Sequence, residues 1–526
     1  MFTVKSNLFP VAGAAIFALM ANFVQADDAR LKKGDCILDL NFKGIDVSEL
    51  KKDWSPEGAV EFGAKLDDGS LLFDVPASSK PEGIKISRSL DVDKIRGATL
   101  NISTRIRGED ISPKPKPYNG GKIMLKVVTE SESIYPQARP IKDGTFGWTD
   151  ASIAVAIPES VKSVTLTIGL EKVSGKIWFE NVKVQVVETP ANIAATVPRE
   201  GPVFKGHPLP RLRGAMVRTE TSEEDLKILG GKWNANLIRW QLGALKYKTT
   251  GLNTPDFDKI LDDEIARLDA LLPVCRKYGM YVVVDMHSLA METFSSTANQ
   301  DKLVEVWKKL AAHYKGNPVV WGYDIVNEPR LSNWKEGTLL WNDLAERVSK
   351  EIRKVDPDTP IIIEPEMLGV PAGFETLRPV SVPNVIYSVH MYNPGQFTHN
   401  RVYDPKQPSY TYPGMIDGKM WDKAELERNL KPVIDFQKKY GVHIYVGEFS
   451  AIRWSPGADK YLSDLIDIFE KYDWDWSYHA FREFHGWSLE HGSDINDKNP
   501  SATQTDREKI VRSWLDKNKK PDWTGK

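Results

Sequence analysis

Two glutamates, Glu328 and Glu448, each stand where a short apolar run ends: Glu328 near the close of Val319 to Pro329, and Glu448 within Ile444 to Ser450. Both runs read as strands, so each carboxyl is delivered by a strand end. Two carboxyls brought by different strands to one mouth of a barrel suit the cleavage of a glycosidic bond. One protonates the leaving oxygen; the other attacks or activates water. Further strand-end candidates are Arg239, Trp240, Asp285, His287, Asn327, His390, Tyr392, His479, Arg482 and Glu483. Glu364 and Glu366 rival the pair, but their strand is shorter and their surroundings less specific, so they rank as subsite or structural groups. The nine histidines form neither His-x-His nor His-Glu-x-x-His, which disfavours metal-dependent hydrolysis. No metal and no other cofactor is expected.

These residues need a scaffold that aims strand ends at one place. From Arg213 onward, eight strand-like runs alternate with helical ones: Arg213 to Val217, Asn236 to Trp240, Tyr281 to Met286, Val320 to Val326, Ile361 to Ile363, Val385 to His390, Ile444 to Val446 and Trp476 to Ala480. Helical patterns fall between them, among them one continuous from Ala424 to Tyr440; the connection around Gly373 to Arg378 is the weakest. That alternation predicts a (β/α)8 TIM barrel over 205–520, whose active site lies at the carboxyl ends of the strands. A doubly wound open sheet is the alternative, and no Gly-rich phosphate loop follows the first strand.

The preceding stretch has another grammar. Short strands separated by Gly, Pro, Asp and Ser clusters, with no long amphipathic helix, predict an all-β sandwich over 27–188. Trp148 and Trp178 read as core residues there. A proline-bearing linker follows over 189–204. Residues 1–26 carry Lys5, an apolar stretch from Leu8 to Val24 and Ala26 before Asp27, the pattern of a cleaved secretory signal. The fold expected is therefore multidomain, with secreted or periplasmic localisation.

Composition narrows the partners. A formal net charge of −2 over 526 residues argues against electrostatic binding of nucleic acid. Beyond the signal, no stretch is apolar for long enough to span a membrane. Only Cys36 and Cys275 are present, in different predicted domains, so a disulfide framework does not hold the fold. Trp240, Trp334, Trp454, Trp476 and Trp487 lie near the predicted mouth, where aromatic rings stack on sugars.

Taken in order, Arg239, His287, Asn327-Glu328-Pro329, His390, Tyr392 and Glu448 resemble the active-site set of glycoside hydrolase family 5, cellulase family A. The stretch from Ile168 to Val182 resembles jelly-roll, galactose-binding-like modules found beside such enzymes. The resemblance implies that Glu328 is the general acid/base and Glu448 the nucleophile of a retaining double displacement, with carboxyls about 5–5.5 Å apart. Arg239, His287, Asn327, His390, Tyr392, Trp454 and His479 become the substrate-binding set. His479 stands where the family has a Trp after the eighth strand. Arg239 and Tyr392 are expected to keep Glu448 charged. Burial and the neighbouring carboxylate are expected to raise Glu328 to a pKa of about 6 or 7. The activity implied is that of an endo-β-1,4-glucanase acting as a monomer on a polysaccharide or oligosaccharide. β-Mannan, β-1,3-glucan and exo action on the same scaffold are the alternatives, the long loop 393–421 being placed to wall one end of the cleft. A non-catalytic carbohydrate-binding protein would be marked by loss of one carboxyl, and both are present.

Overall fold

The computed structural model of the chain describes residues 31–57, 62–77, 83–130, 132–139, 141–189, 202–243, 252–287 and 292–523. The expected signal, 1–26, and residues 190–201 of the expected linker lie outside them.

Eight parallel strands close into a barrel: β1 (Arg213–Val217), β2 (Leu237–Leu242), β3 (Tyr281–Met286), β4 (Val320–Asp324), β5 (Ile361–Ile363), β6 (Val385–Met391), β7 (His443–Phe449) and β8 (Asp475–Tyr478). Closure comes from β8 against β1, where Arg213 pairs with Trp476 and Ala215 with Tyr478. Every residue of β1 to β5, β7 and β8 is buried, because a parallel barrel is covered outside by helices and filled inside by side chains. Apolar runs rather than alternating ones are the sequence trace of that double burial.

The helical layer is irregular at three places, the last of them the connection expected to be weakest. The run from Ala424 to Tyr440 divides into Lys423–Asn429 and Lys431–Tyr440, because Pro432 has no N–H to carry the helix through and fits only in a first turn. The helix Glu223–Leu226 passes into a wider π-turn over Lys227–Lys232, which contains Gly230 and Gly231. Between β5 and β6 a 3-10 turn, Pro371–Glu375, replaces a full helix.

The described residues between Cys36 and Glu188 form two antiparallel sheets face to face. In one, the long strand Thr99–Ile111 pairs Gly144–Ala156 along one edge and Asn181–Glu188 then Gly175–Phe179 along the other. In the second, Ser163–Glu171 pairs Gly83–Leu90 and Gly120–Val128. Val182, Val184 and Val186 are buried while Asn181, Lys183 and Gln185 are not, the period of two expected where one face packs on a partner sheet. Both sheets share one apolar core containing Phe73, Leu100, Leu125, Leu166 and Phe179. Trp178 joins the interior, but Trp148 is 37% exposed, contrary to its reading as core. It sits on an outer edge strand, beside the guanidinium groups of Arg105 and Arg107.

The sandwich is fastened to the barrel along the free edge of Gly144–Ala156. Ala154 N donates to Leu331 O at 3.2 Å and Ser152 Oγ to Trp334 O at 2.8 Å. An open strand edge is thereby covered by the loop after β4. Ser160 adds bonds of 2.7 and 2.6 Å to Glu375, and Ala154 itself packs into the barrel core. Cys36 and Cys275 are both free, and no described helix is long and apolar enough to cross a membrane.

Candidate active site

Arg239, on β2, is fully buried at the carboxyl end of the barrel and organises the charge there. Its Nε lies 3.0 Å from Asp324 Oδ2 and its Nη1 2.8 Å from Glu448 Oε1. Nη2 reaches Glu364 Oε1 at 2.8 Å, Asn327 Oδ1 at 3.0 Å and Asp285 Oδ1 at 3.1 Å. One planar fork thus holds residues from four other strands or their ends. Burial penalises the arginine charge, but Asp285, Asp324, Glu364 and Glu448 outweigh it and its pKa is raised. Asp324 is raised as well: burial is the largest cause, and Glu364 and Asp285 add to it against the opposing charge of Arg239.

A one-residue irregularity aims Glu448. Val389 of β6 pairs with Val446, but His390 pairs with Glu448, leaving Gly447 as the extra residue. A Cβ at Gly447 would lie 2.6 Å from Ser388 Oγ and 3.0 Å from His390 Nε2, so glycine permits this close approach. Tyr392, just beyond β6, donates from its hydroxyl to Glu448 Oε2 at 2.8 Å. Burial would raise the Glu448 carboxyl; the charges of His390, His479, Arg239 and His287 prevail and hold it far below its usual range. Tyr392 is itself pushed well up by burial and by Glu448, which keeps its proton available to donate.

Glu328 stands opposite. Its oxygen Oε1 is 3.3 Å from His390 Nδ1, and one atom each of Glu328, His390 and Glu448 lie within 4.8 Å of one another. The backbone of Glu328 has a φ of 48°, a left-handed conformation that a side-chain-bearing residue adopts only when its surroundings impose it. Here its N–H donates to Glu364 Oε2 at 2.8 Å. The expected upward shift of Glu328 is corrected: burial and Glu448 do raise it, but hydrogen bonding and charge from His390, with Arg330, lower it overall. His390 is raised well above an ordinary imidazole because Glu364, Glu448 and Glu328 overcome its burial. Hydrogen bonding and charge thus favour the charged form of both the imidazole and the Glu328 carboxyl.

A pH prediction follows from that geometry. With His390 present, the pair loses its proton only at the raised imidazole value. In His390→Asn the proton must sit on Glu328 alone, so the alkaline limb of kcat/KM moves to lower pH. An unmoved limb in the pH–rate profile would detach His390 from proton storage.

The remaining sequence candidates separate. His287 is beside Asp285 at 2.8 Å; Asp285 and Glu448 raise its pKa against burial and Arg239. The His479 ring lies 5.9 Å from Tyr392 and 5.7 Å from Trp487, within the same aromatic group. Trp454 lies apart from the glutamates: its indole donates to Asn400 O at 2.8 Å and its ring faces His485. Of the other tryptophans, Trp240, Trp334 and Trp476 are buried in the barrel core, whereas Trp487 packs 5.0 Å from His399 and 6.3 Å from Tyr392. Residues that the sequence ranked low or passed over are Glu364, which bridges Arg239, His390 and the Glu328 backbone, and Asp324 and His399. Burial lowers His399 to about 4, aided by His479, so its ring is neutral. The signal for Glu364 was present in its strand-end position, but not its partners.

A second polar group lies at the opposite end of the barrel. His207 Nε2 and His443 Nε2 each sit 2.7 Å from Asp475 Oδ2, and Leu212 N donates to Oδ1 at 2.6 Å. The carboxylate is satisfied by these protein donors, as strand-start residues serving stability are.

Comparison with known proteins agrees with this geometry. Residues 202–484 match the family described as cellulase, glycosyl hydrolase family 5. Endoglucanase C of Acetivibrio thermocellus is 24% identical over 247 residues, covering 40% of this chain and 71% of that protein. Cellodextrinase A of Ruminococcus flavefaciens is 23% identical over 232 residues, 40% and 66% of the respective chains. Among solved structures, endoglucanase Cel5A of Thermotoga maritima is 24% identical with a TM-score of 0.47, covering 57% of this chain and 96% of its own. With more than half of its length in the family match, and a buried arginine holding one of two facing glutamates, the chain belongs to glycosyl hydrolase family 5 and is an O-glycosyl hydrolase.

Proposed function

We propose that the protein is a retaining endo-β-1,4-glucanase in which Glu448 is the nucleophile and Glu328 the general acid/base. The observation that carries the assignment is their unequal setting around His390. Glu448 is fixed by Arg239 and Tyr392, whereas Glu328 is met at 3.3 Å by the His390 imidazole, with which it would share a proton. In the first step Glu448 bonds to the anomeric carbon as the glycosidic bond breaks, and the leaving oxygen takes the proton of the Glu328–His390 pair. In the second, Glu328 takes a proton from water, whose oxygen replaces Glu448 on the sugar. Oxygens of the two carboxyls lie within 4.8 Å, which favours direct attack over an interposed water. Asn327, with Oδ1 held by Arg239, has its amide N–H groups left for a sugar hydroxyl. His287, His479 and Trp454 would contact more distant hydroxyls or ring faces.

The names of the relatives support β-1,4-glucan as substrate. The N-terminal apolar stretch supports export to the periplasm or medium, and a site complete within one chain supports action as a monomer. The division proposed is signal 1–26, galactose-binding-like sandwich 27–188, linker 189–204 and catalytic barrel 205–520.

Carboxymethyl cellulose, β-mannan and β-1,3-glucan separate the substrates. Viscosity of the cellulose derivative should fall ahead of reducing-end release; reducing ends released from mannan or β-1,3-glucan but not from it would overturn the reading. On an activated aryl β-glycoside, azide should restore Glu328→Gln and give a β-glycosyl azide. An α-azide would exchange the two roles.

A further inference from the structure

We propose that the sandwich is part of the substrate site: its edge and the barrel loops after β4 to β6 together form a subsite cleft for sugar units beyond the scissile bond. This deepens the glucanase reading and rests on it.

A cleft of about 950 Å³ lies between the two halves of the chain, at the upper end of the roughly 300–1,000 Å³ typical of small-molecule sites. Tyr118, Tyr135 and Arg139 line it from the sandwich, and Arg330, His399 and Tyr403 from the barrel. It opens onto the glutamates without containing them. Arg330 Nη2 is 3.6 Å from Glu328 Oε2, and His399 lies against Tyr392, the donor to Glu448. A chain bound across the glutamates continues into this space.

The lining suits a sugar chain. Tyr118, Tyr135 and Tyr403 are 38%, 52% and 62% exposed, and these large aromatic rings all face the same cleft. Exposed rings on a folded surface are unfavourable unless something covers them, and the apolar faces of pyranose rings stack on them. The Arg139 guanidinium has no described side-chain partner; its backbone N–H alone is tied, to Ser332 O at 3.0 Å. Burial, and after it the charge of Arg330, lowers its pKa. Donors left unpaired in a partly dry cleft are available to hydroxyl oxygens.

The wall is also rigid. Arg139 N, Ala154 N and Ser152 Oγ all bond to the Leu331–Trp334 segment, which follows directly on Glu328-Pro329-Arg330. The sandwich is therefore held in register with the acid/base loop rather than hung on a linker, and its subsites are preorganised. Tyr118, Tyr135 and Arg139 all lie outside the family match at 202–484.

The test compares an aryl β-cellobioside with gluco- and manno-oligosaccharides of two to six units. Tyr135→Ala and Arg139→Ala should each lower kcat/KM on the hexasaccharide by roughly three- to tenfold, mainly through KM, and by clearly less on the aryl glycoside. Trp148→Ala, at an exposed sandwich ring that does not line the cleft, serves as the folded control and should match the wild type. Losses equal at every chain length, or no loss on the hexasaccharide, would overturn the composite site while leaving the glucanase reading intact. A wild type that cleaves none of these oligosaccharides would overturn both.

Discussion

Glu448→Gln is expected to lower kcat on soluble β-glucan and on an activated aryl glycoside by about four orders of magnitude or more, the scale seen when a covalent nucleophile is removed. Gln keeps the shape: its amide oxygen can still accept from Arg239 Nη1, and its amide N–H can donate to the Tyr392 hydroxyl oxygen, so the fold and the bound sugar should change little. On the proposed assignment, what is lost is the charge that attacks the anomeric carbon. The site is built around that charge: burial opposes it, and His390, His479, Arg239 and His287 together overcome the opposition. Initial rates on both substrates measure the effect, and a variant retaining more than a few per cent of wild-type activity would remove Glu448 from the reaction. The same linkage has a sign. A carboxyl whose folded pKa is depressed contributes stability above its unfolded pKa and loses it as pH falls through the folded value, so this contribution weakens on the acid side, not the alkaline side.

Arg239→Met should give the largest loss of stability. The side chain is fully buried, and removing it leaves Asp285, Asp324, Glu364 and Glu448 facing one another without their shared cation. Breaking a buried charge network by removing one partner costs about 3–5 kcal/mol. For a barrel of roughly 300 residues, unfolding with about 2.1 cal/mol/K per residue, that corresponds to a Tm lower by roughly 5–8 °C. The deficit has a direction in pH. Without the guanidinium the buried carboxyls have folded pKa values above their unfolded ones, a contribution present at low pH and lost as pH rises. The variant should therefore lie closer to the wild type at pH 5 than at pH 8. Thermal melts at the two pH values decide it; a Tm within a few degrees of wild type at both would mean that the four carboxyls are not held by Arg239.

Much of this molecule was legible in the chain itself. The eight strand-like runs, their order and the placement of Asn327, Glu328 and Glu448 at carboxyl ends follow from local rules, because a parallel strand buried on both faces leaves a continuous apolar run and a barrel collects strand ends at one mouth. Even the break at Pro432 was written locally, though the helical period ran through it. Facing was not written. Trp240, Trp334 and Trp476 look in sequence like rings near the mouth, yet all three are core, since nothing local distinguishes a side chain pointing into the barrel body from one pointing at its opening.

Protonation was decided by tertiary structure for the same reason. Acidity depends on what comes within a few ångströms, and His390, 62 residues from Glu328, arrives only when β6 packs beside the loop after β4. It reverses the shift that burial alone would produce. The Gly447 bulge, which brings Glu448 opposite His390, is likewise a matter of register between strands. The sequence by itself determined the fold class, the family and the placement of the two carboxyls at strand ends. The tertiary structure alone decided which rings are free, which groups shift one another's acidity and that the sandwich meets the loop carrying Glu328, because charge, burial and contact are properties of distance in space.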